Sequence, residues 1–153
     1  MNEDAKKRYE YLKRKQNEQI KLYKWQHNNL FMEFVKKIDE IQIISDDECK
    51  LLIDRFSGSI PFYSSGRINW NDSKLQKNKV SYLELDNYVD SSKDYYVIWD
   101  NYDLPVIKCK LQSIIDNADD IESVAFSYLI ISENFKVIME SEKFGSLNLC
   151  IIE

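Results

Sequence analysis

Apolar residues recur at every third or fourth position from 3 to 41. Ala5, Tyr9, Leu12, Gln16, Ile20, Tyr23, His27, Phe31, Phe34, Ile38 and Ile41 form one stripe, mostly apolar. That period predicts an amphipathic helix with Lys and Arg filling its other faces. Left unbroken, about 36 residues of helix would reach about 54 Å, whereas a compact domain of this size has a radius of gyration of about 15 Å. The helix must therefore break, most naturally at Asn28-Asn29, or overhang the body, and its polar first two turns are candidates to fray. Ser45-Asp46-Asp47-Glu48 carries the Ser-x-x-Glu spacing of a capping box and predicts a second helix. Cys49, Leu52, Ile53 and Phe56 should share one face of it, with Gly58 at its end.

From 57 to 78 the periodicity stops, and Ser, Asn, a Pro and two of the three Gly read as a long irregular connection. Beyond it the period falls to two and the residues become β-branched and aromatic, predicting strands over 80–85, 95–99 and 106–109. A helical turn over 111–117 places Leu111, Ile114 and Ile115 inward. Strands over 123–132, 135–141 and 147–152, joined by turns at Glu133-Asn134 and Phe144-Gly145, make an antiparallel meander. Helices first and strands afterwards define an α+β fold, with the N-terminal helices packed on one face of a mostly antiparallel sheet. At 153 residues the chain reads as one domain, 1–153.

Composition excludes several classes of function. Three scattered Gly cannot build a phosphate cradle or a dinucleotide fingerprint. The three Cys (49, 109 and 150) are far apart and lack ligand spacing, so they read as reduced, buried and apolar. The one histidine, His27, lies on the apolar stripe and reads as packed against the core with a single hydrogen bond, not as a catalytic base. No apolar run approaches the ~20 residues that span a bilayer, and the N-terminus has no apolar segment behind its charges. A cytoplasmic protein without cofactor or metal is expected.

Charge adds direction. Residues 1–44 hold ten Lys/Arg against seven Asp/Glu, and 45–153 hold eleven against nineteen. Between 84 and 122, ten acids face only Lys93, Lys108 and Lys110. Such a field repels nucleic acid and anionic membrane and attracts a basic partner. The basic and aromatic residues of 6–24 could suit single-stranded nucleic acid, but Lys stems circling an amphipathic helix in an acidic chain are the plainer reading. Carboxylates at Asp100, Asp103, Asp116, Asp119, Asp120 and Glu122 leave open a carboxylate-dependent hydrolase, although acids near turns are usually turn formers. A scaffold or regulatory module that docks through its N-terminal helix is the other alternative.

The segment 95–132, YYVIWDNYDLPVIKCKLQSIIDNADDIESVAFSYLIIS, ends an aromatic strand in Trp-Asp-Asn. Asp-Leu-Pro, a helical turn, an acidic turn and the meander follow. In this, residues 95–153 resemble immunity proteins of bacterial contact-dependent growth-inhibition and related polymorphic-toxin systems. The resemblance implies a non-catalytic inhibitor that binds a cognate toxin domain, often a nuclease. A basic nuclease would meet the acidic surface, so Asp100, Tyr102, Asp103, Asp116, Asp119, Asp120 and Glu122 are the candidate contacts. Alternation puts Tyr95, Val97 and Trp99 on one side of their strand and Tyr96 and Ile98 on the other, with Trp99 read as core.

Overall fold

The computed structural model describes residues 2–64, 67–72, 75–142 and 145–152. Helix α1 spans Glu3–Gln26, opened by Asn2, whose side chain accepts from the Ala5 amide at 2.8 Å. The stripe then breaks where expected. Asn28 takes extended backbone angles and caps α2, Asn29–Lys36, by accepting from the Phe31 amide at 3.0 Å. α2 buries Phe31 and Phe34, whereas α1 buries nothing. The apolar face of α1 was expected to be covered, yet Tyr9, Leu12, Ile20 and Tyr23 stay exposed. The reason is geometric. Only the last turns of α1 reach the body, where Trp25 packs against the core and Lys21 pairs with Asp46 at 2.9 Å.

His27 corrects another expectation. It is exposed at the end of α1, stacked on Tyr23 with ring centroids 3.9 Å apart, and its Nδ1 lies 2.8 Å from the Tyr23 carbonyl. It closes a helix end and does not pack into the core.

A two-residue strand β1, Gln42–Ile43, leads to α3, Asp46–Ser59. Ser45 Oγ accepts from the Glu48 amide at 3.3 Å, as the capping box predicts. Leu52 and Phe56 are buried and Cys49 half-buried, but Ile53 is exposed, and Gly58 falls inside the last turn. The remaining strands are β2 (Asn78–Ser81), β3 (Asp94–Trp99), β4 (Ile107–Lys110), β5 (Tyr128–Ser132), β6 (Val137–Ser141) and β7 (Ser146–Ile151). They form one seven-stranded sheet, ordered β1-β4-β3-β5-β6-β7-β2, with every neighbouring pair antiparallel. The α+β architecture and the C-terminal meander β5-β6-β7 are as expected.

Two segments were misassigned from sequence. The strand expected over 80–85 stops at Ser81, and Tyr82–Asn87 is a 3-10 helix. Tyr82 and Leu85, three apart, are both buried, and Ser81 Oγ donates to Glu84 Oε1 at 3.2 Å. The strand expected over 123–132 begins only at Tyr128, because Ala118–Val124 is a helix, α5, burying Ile121 and Val124. It follows α4, Leu111–Asp116. The turn expected at Phe144-Gly145 falls partly outside the described residues, since Phe144 is not among them; Gly145 has φ +77, a conformation glycine adopts freely.

Both faces of the sheet are covered. On one, α2, α4, α5 and the 3-10 helix pack over Tyr95, Val97, Trp99, Cys109, Tyr128, Ile130, Met139 and Leu149. On the other, α3 and the 60–75 segment cover Tyr96, Ile98, Leu129, Ile131, Ile138 and Cys150. β3 alternates as read, with Trp99 buried edge-on to Phe31 and Phe34 and donating from Nε1 to the Pro105 carbonyl at 3.0 Å. The three cysteines are free, Cys109 and Cys150 buried.

Candidate partner-binding surface

The candidate contacts fall into two groups. Asp100, Tyr102 and Asp103 lie in the connection that leaves β3 at Trp99. The Asp100 amide donates to the Ser127 carbonyl at 3.1 Å, which ties this connection to the start of β5. Asn101 Oδ1 accepts from the Asp103 amide at 2.9 Å, a local turn that throws Tyr102 into solvent. The Asp103 carboxylate faces Lys24 Nζ at 3.5 Å, so α1 touches this loop.

Asp116, Asp119, Asp120 and Glu122 belong to the α4–α5 pair. β4 ends at Lys110, opposite Asp94 on β3, so α4 sets out from the far end of the sheet. α5 then returns towards Tyr128, which lies opposite Trp99. Asp116, at the turn of this excursion, accepts from Gln112 Nε2 at 2.9 Å, and Asp120 pairs with Lys37 Nζ at 2.9 Å. Glu122, nearer the returning end, lies against Gly145, whose amide hydrogen-bonds to it. Burial, and then the neighbouring Asp119, hold the Glu122 carboxyl above its ordinary range. The acids expected to act together are thus divided along the sheet, with Asp100, Tyr102, Asp103 and Glu122 towards one end.

Two features of that end were missed from sequence. Leu83, Tyr102 and Phe126 are each more than nine-tenths exposed, and only Tyr102 had been singled out. A groove of about 510 Å³ also opens on the α3 side of the same end. Its walls are Ile53, Phe56, Ile60, Phe62, Ile98 and Leu129, with Asp100, Tyr102 and Arg67 among its polar groups. Glu140 lines it as well, a buried carboxylate on β6 that accepts from Ile68 N at 3.1 Å, Trp70 Nε1 at 3.1 Å and Arg67 Nη2 at 3.3 Å. These bonds fasten the irregular 60–75 segment to the sheet. The sequence signal was an acid at an inward position of a strand, which demands partners.

Among the described residues, no group of three or more His, Cys, Asp or Glu could hold a metal ion, and no helix is long and apolar enough to cross a membrane. A free Cys49 is half-buried, and burial raises its thiol above the ordinary value, which lowers its thiolate fraction.

Compared with known proteins, no curated protein matches the chain. The family model described as CdiI immunity protein EcoliA0-like matches residues 28–149. That span includes every strand except the last two residues of β7, together with α3, α4 and α5; it opens at the cap of α2 and leaves out α1. It reaches well beyond the C-terminal segment on which the resemblance was first drawn, and the chain belongs to the CdiI immunity protein family.

Proposed function

We propose that this chain is a non-catalytic inhibitor in the cytoplasm that binds one cognate toxin domain, a basic nuclease, and occludes its active site or nucleic-acid surface. The observation that carries the proposal is the family membership over residues 28–149. Charge supports the nature of the partner. A nuclease that grips phosphates is basic, and ten acids against three Lys between 84 and 122 complement it.

Acids held by local partners, such as Asp120 beside Lys37, act mainly through the long-range field that speeds encounter. Stopped-flow binding of the cognate toxin domain tests it. Asp119→Lys with Asp120→Lys should slow association several-fold at low salt and flatten its salt dependence, leaving dissociation unchanged. Equal association rates for the two proteins at low salt would remove the acidic field from the mechanism.

A second reading is favoured by one observation: the apolar stripe of α1 remains exposed, and α1 lies outside the family match. In that reading α1 docks on a different protein and the chain is a scaffold. Removing residues 1–24 separates the two: toxin binding survives the truncation in the first, whereas partner binding is lost with the fold intact in the second.

A further inference from the structure

We infer that the toxin docks end-on against the sheet, at the end where Leu83, Tyr102 and Phe126 project, with these three side chains as its anchors. The inference rests on the toxin-binding reading and locates its interface. Three independent connections converge there. β3 leaves the sheet at Trp99 towards Tyr102, β5 enters at Tyr128 just after Phe126, and Ser81, opposite Ser146, hands the chain to Leu83.

The strands between them are ordered β3-β5-β6-β7-β2. At about 4.8 Å per strand, the strand ends from which Tyr102 and Leu83 depart lie roughly 20 Å apart, with the strand that follows Phe126 between them. That fits within one partner's share of a standard interface, about 800 Å². A large apolar side chain gains nothing from standing in water, and single exposures are ordinary. Three almost fully exposed ones at a single sheet end are out of the ordinary, and two of them, Tyr102 and Phe126, are of the aromatic kind enriched at interfaces.

Charge selects the occupant. Glu84 and Asp86 neighbour Leu83 in the chain, Asp100 and Asp103 flank Tyr102 and Glu122 lies by Gly145, while Lys24, Lys79 and Arg67, which reach this end, are engaged with Asp103, Glu142 and Glu140. A basic protein surface fits. A second copy of the chain would bring the same acids against one another, and a nucleic acid or anionic membrane would be repelled. The groove beside Tyr102 extends the apolar ground on which the aliphatic stem of a partner Lys or Arg can lie, with Asp100 beside its head.

The test is the dissociation rate of the complex with the purified cognate toxin domain, alongside sedimentation of the free protein. Tyr102→Ala with Phe126→Ala should leave circular dichroism and monomeric sedimentation unchanged and raise koff at least ~10-fold. Leu83→Arg, a single exposed change, should do the same and serves if the double variant misfolds. Unchanged dissociation for both, with the wild-type complex formed, overturns the end-on interface and leaves the toxin-binding reading standing. Self-association of the wild type that these substitutions abolish would overturn it in favour of a homodimer contact. Failure of the wild-type protein to bind or inhibit the toxin domain would defeat the underlying reading itself.

Discussion

Glu140 occupies a position on β6 where alternation asks for an apolar side chain: Ile138, two residues before it on the same face, is fully buried in the core. A carboxylate survives there because three donors converge on it, two of them from the 60–75 segment: the amide of Ile68, which is bridged to Phe62, and the indole of Trp70. The ion pair with Arg67 adds less, since that guanidinium is half in water. Glu140→Ala would strand the buried Ile68 amide, worth about 1–3 kcal/mol when left unpaired, and the partly buried Trp70 indole, worth about 1 kcal/mol. The expected loss is therefore about 2–4 kcal/mol, read as a lower urea midpoint with an unchanged slope, whereas Glu140→Gln, which keeps an acceptor, should cost less. A loss below 1 kcal/mol for the alanine variant would mean that water replaces the carboxylate and that the segment is held by Ile68 and Leu75 alone.

Among the elements, α1 and the sheet region show opposite relations between pattern and burial. The stripe over 3–41 marked one helix with a break, and the break stands at Asn28 because its short side chain caps α2 better than it continues α1. The pattern could not reveal that the first half of the stripe faces solvent, since periodicity reports an apolar face and not what covers it. Without a buried residue, the outer part of α1 contributes little to global stability. Removing residues 1–14 should reduce ellipticity at 222 nm while moving Tm by no more than ~2 °C, which calorimetry can read. A larger fall in Tm would show that α1 is seated along its length. Two other elements were hidden for a different reason. Val80 and Tyr82 fit both a strand and a 3-10 turn, and only Leu85 at the third position decides, while Asp119-Asp120 before Ile121 reads as a polar turn yet opens α5. The site was legible in its charge and in Tyr102. Leu83 and Phe126 were not, because apolar residues beside strands are ordinarily core.

The whole molecule is a single sheet whose two faces are protected by different means, and ionisation bears on them unequally. On the α2–α5 face, the hydroxyls of Tyr82 and Tyr128 hydrogen-bond to one another in the core. Burial pushes both far above the ordinary tyrosine value; Tyr128 raises Tyr82 further, whereas the bond to Tyr82 partly offsets the rise at Tyr128. Burial also raises Tyr95 to about 12 and the Cys109 thiol to about 12, each with a further push from an aspartate, Asp90 and Asp94 respectively. A group whose folded pKa is raised keeps its stabilising contribution below its unfolded value and loses it as pH rises towards the folded one. For Cys109 the window runs from about 9 to about 12, and for Tyr95 from about 10 to about 12. Tyr82 and Tyr128 begin to drain stability at about 10 and continue beyond that range. Each group removes about 1.4 kcal/mol per pH unit inside its window, so four acting together exhaust a stability of 5–15 kcal/mol within about two to three units. Far-UV and near-UV ellipticity should therefore be lost together in one transition above pH 10, because the α3 face shares every central strand with the face that ionises. Tyr82→Phe should cost about 1 kcal/mol at pH 7 through the lost hydrogen bond and make the decline above pH 10 shallower. Two separated alkaline transitions, or an unchanged slope in the Tyr82 variant, would mean that the tyrosine pair does not couple the sheet to pH.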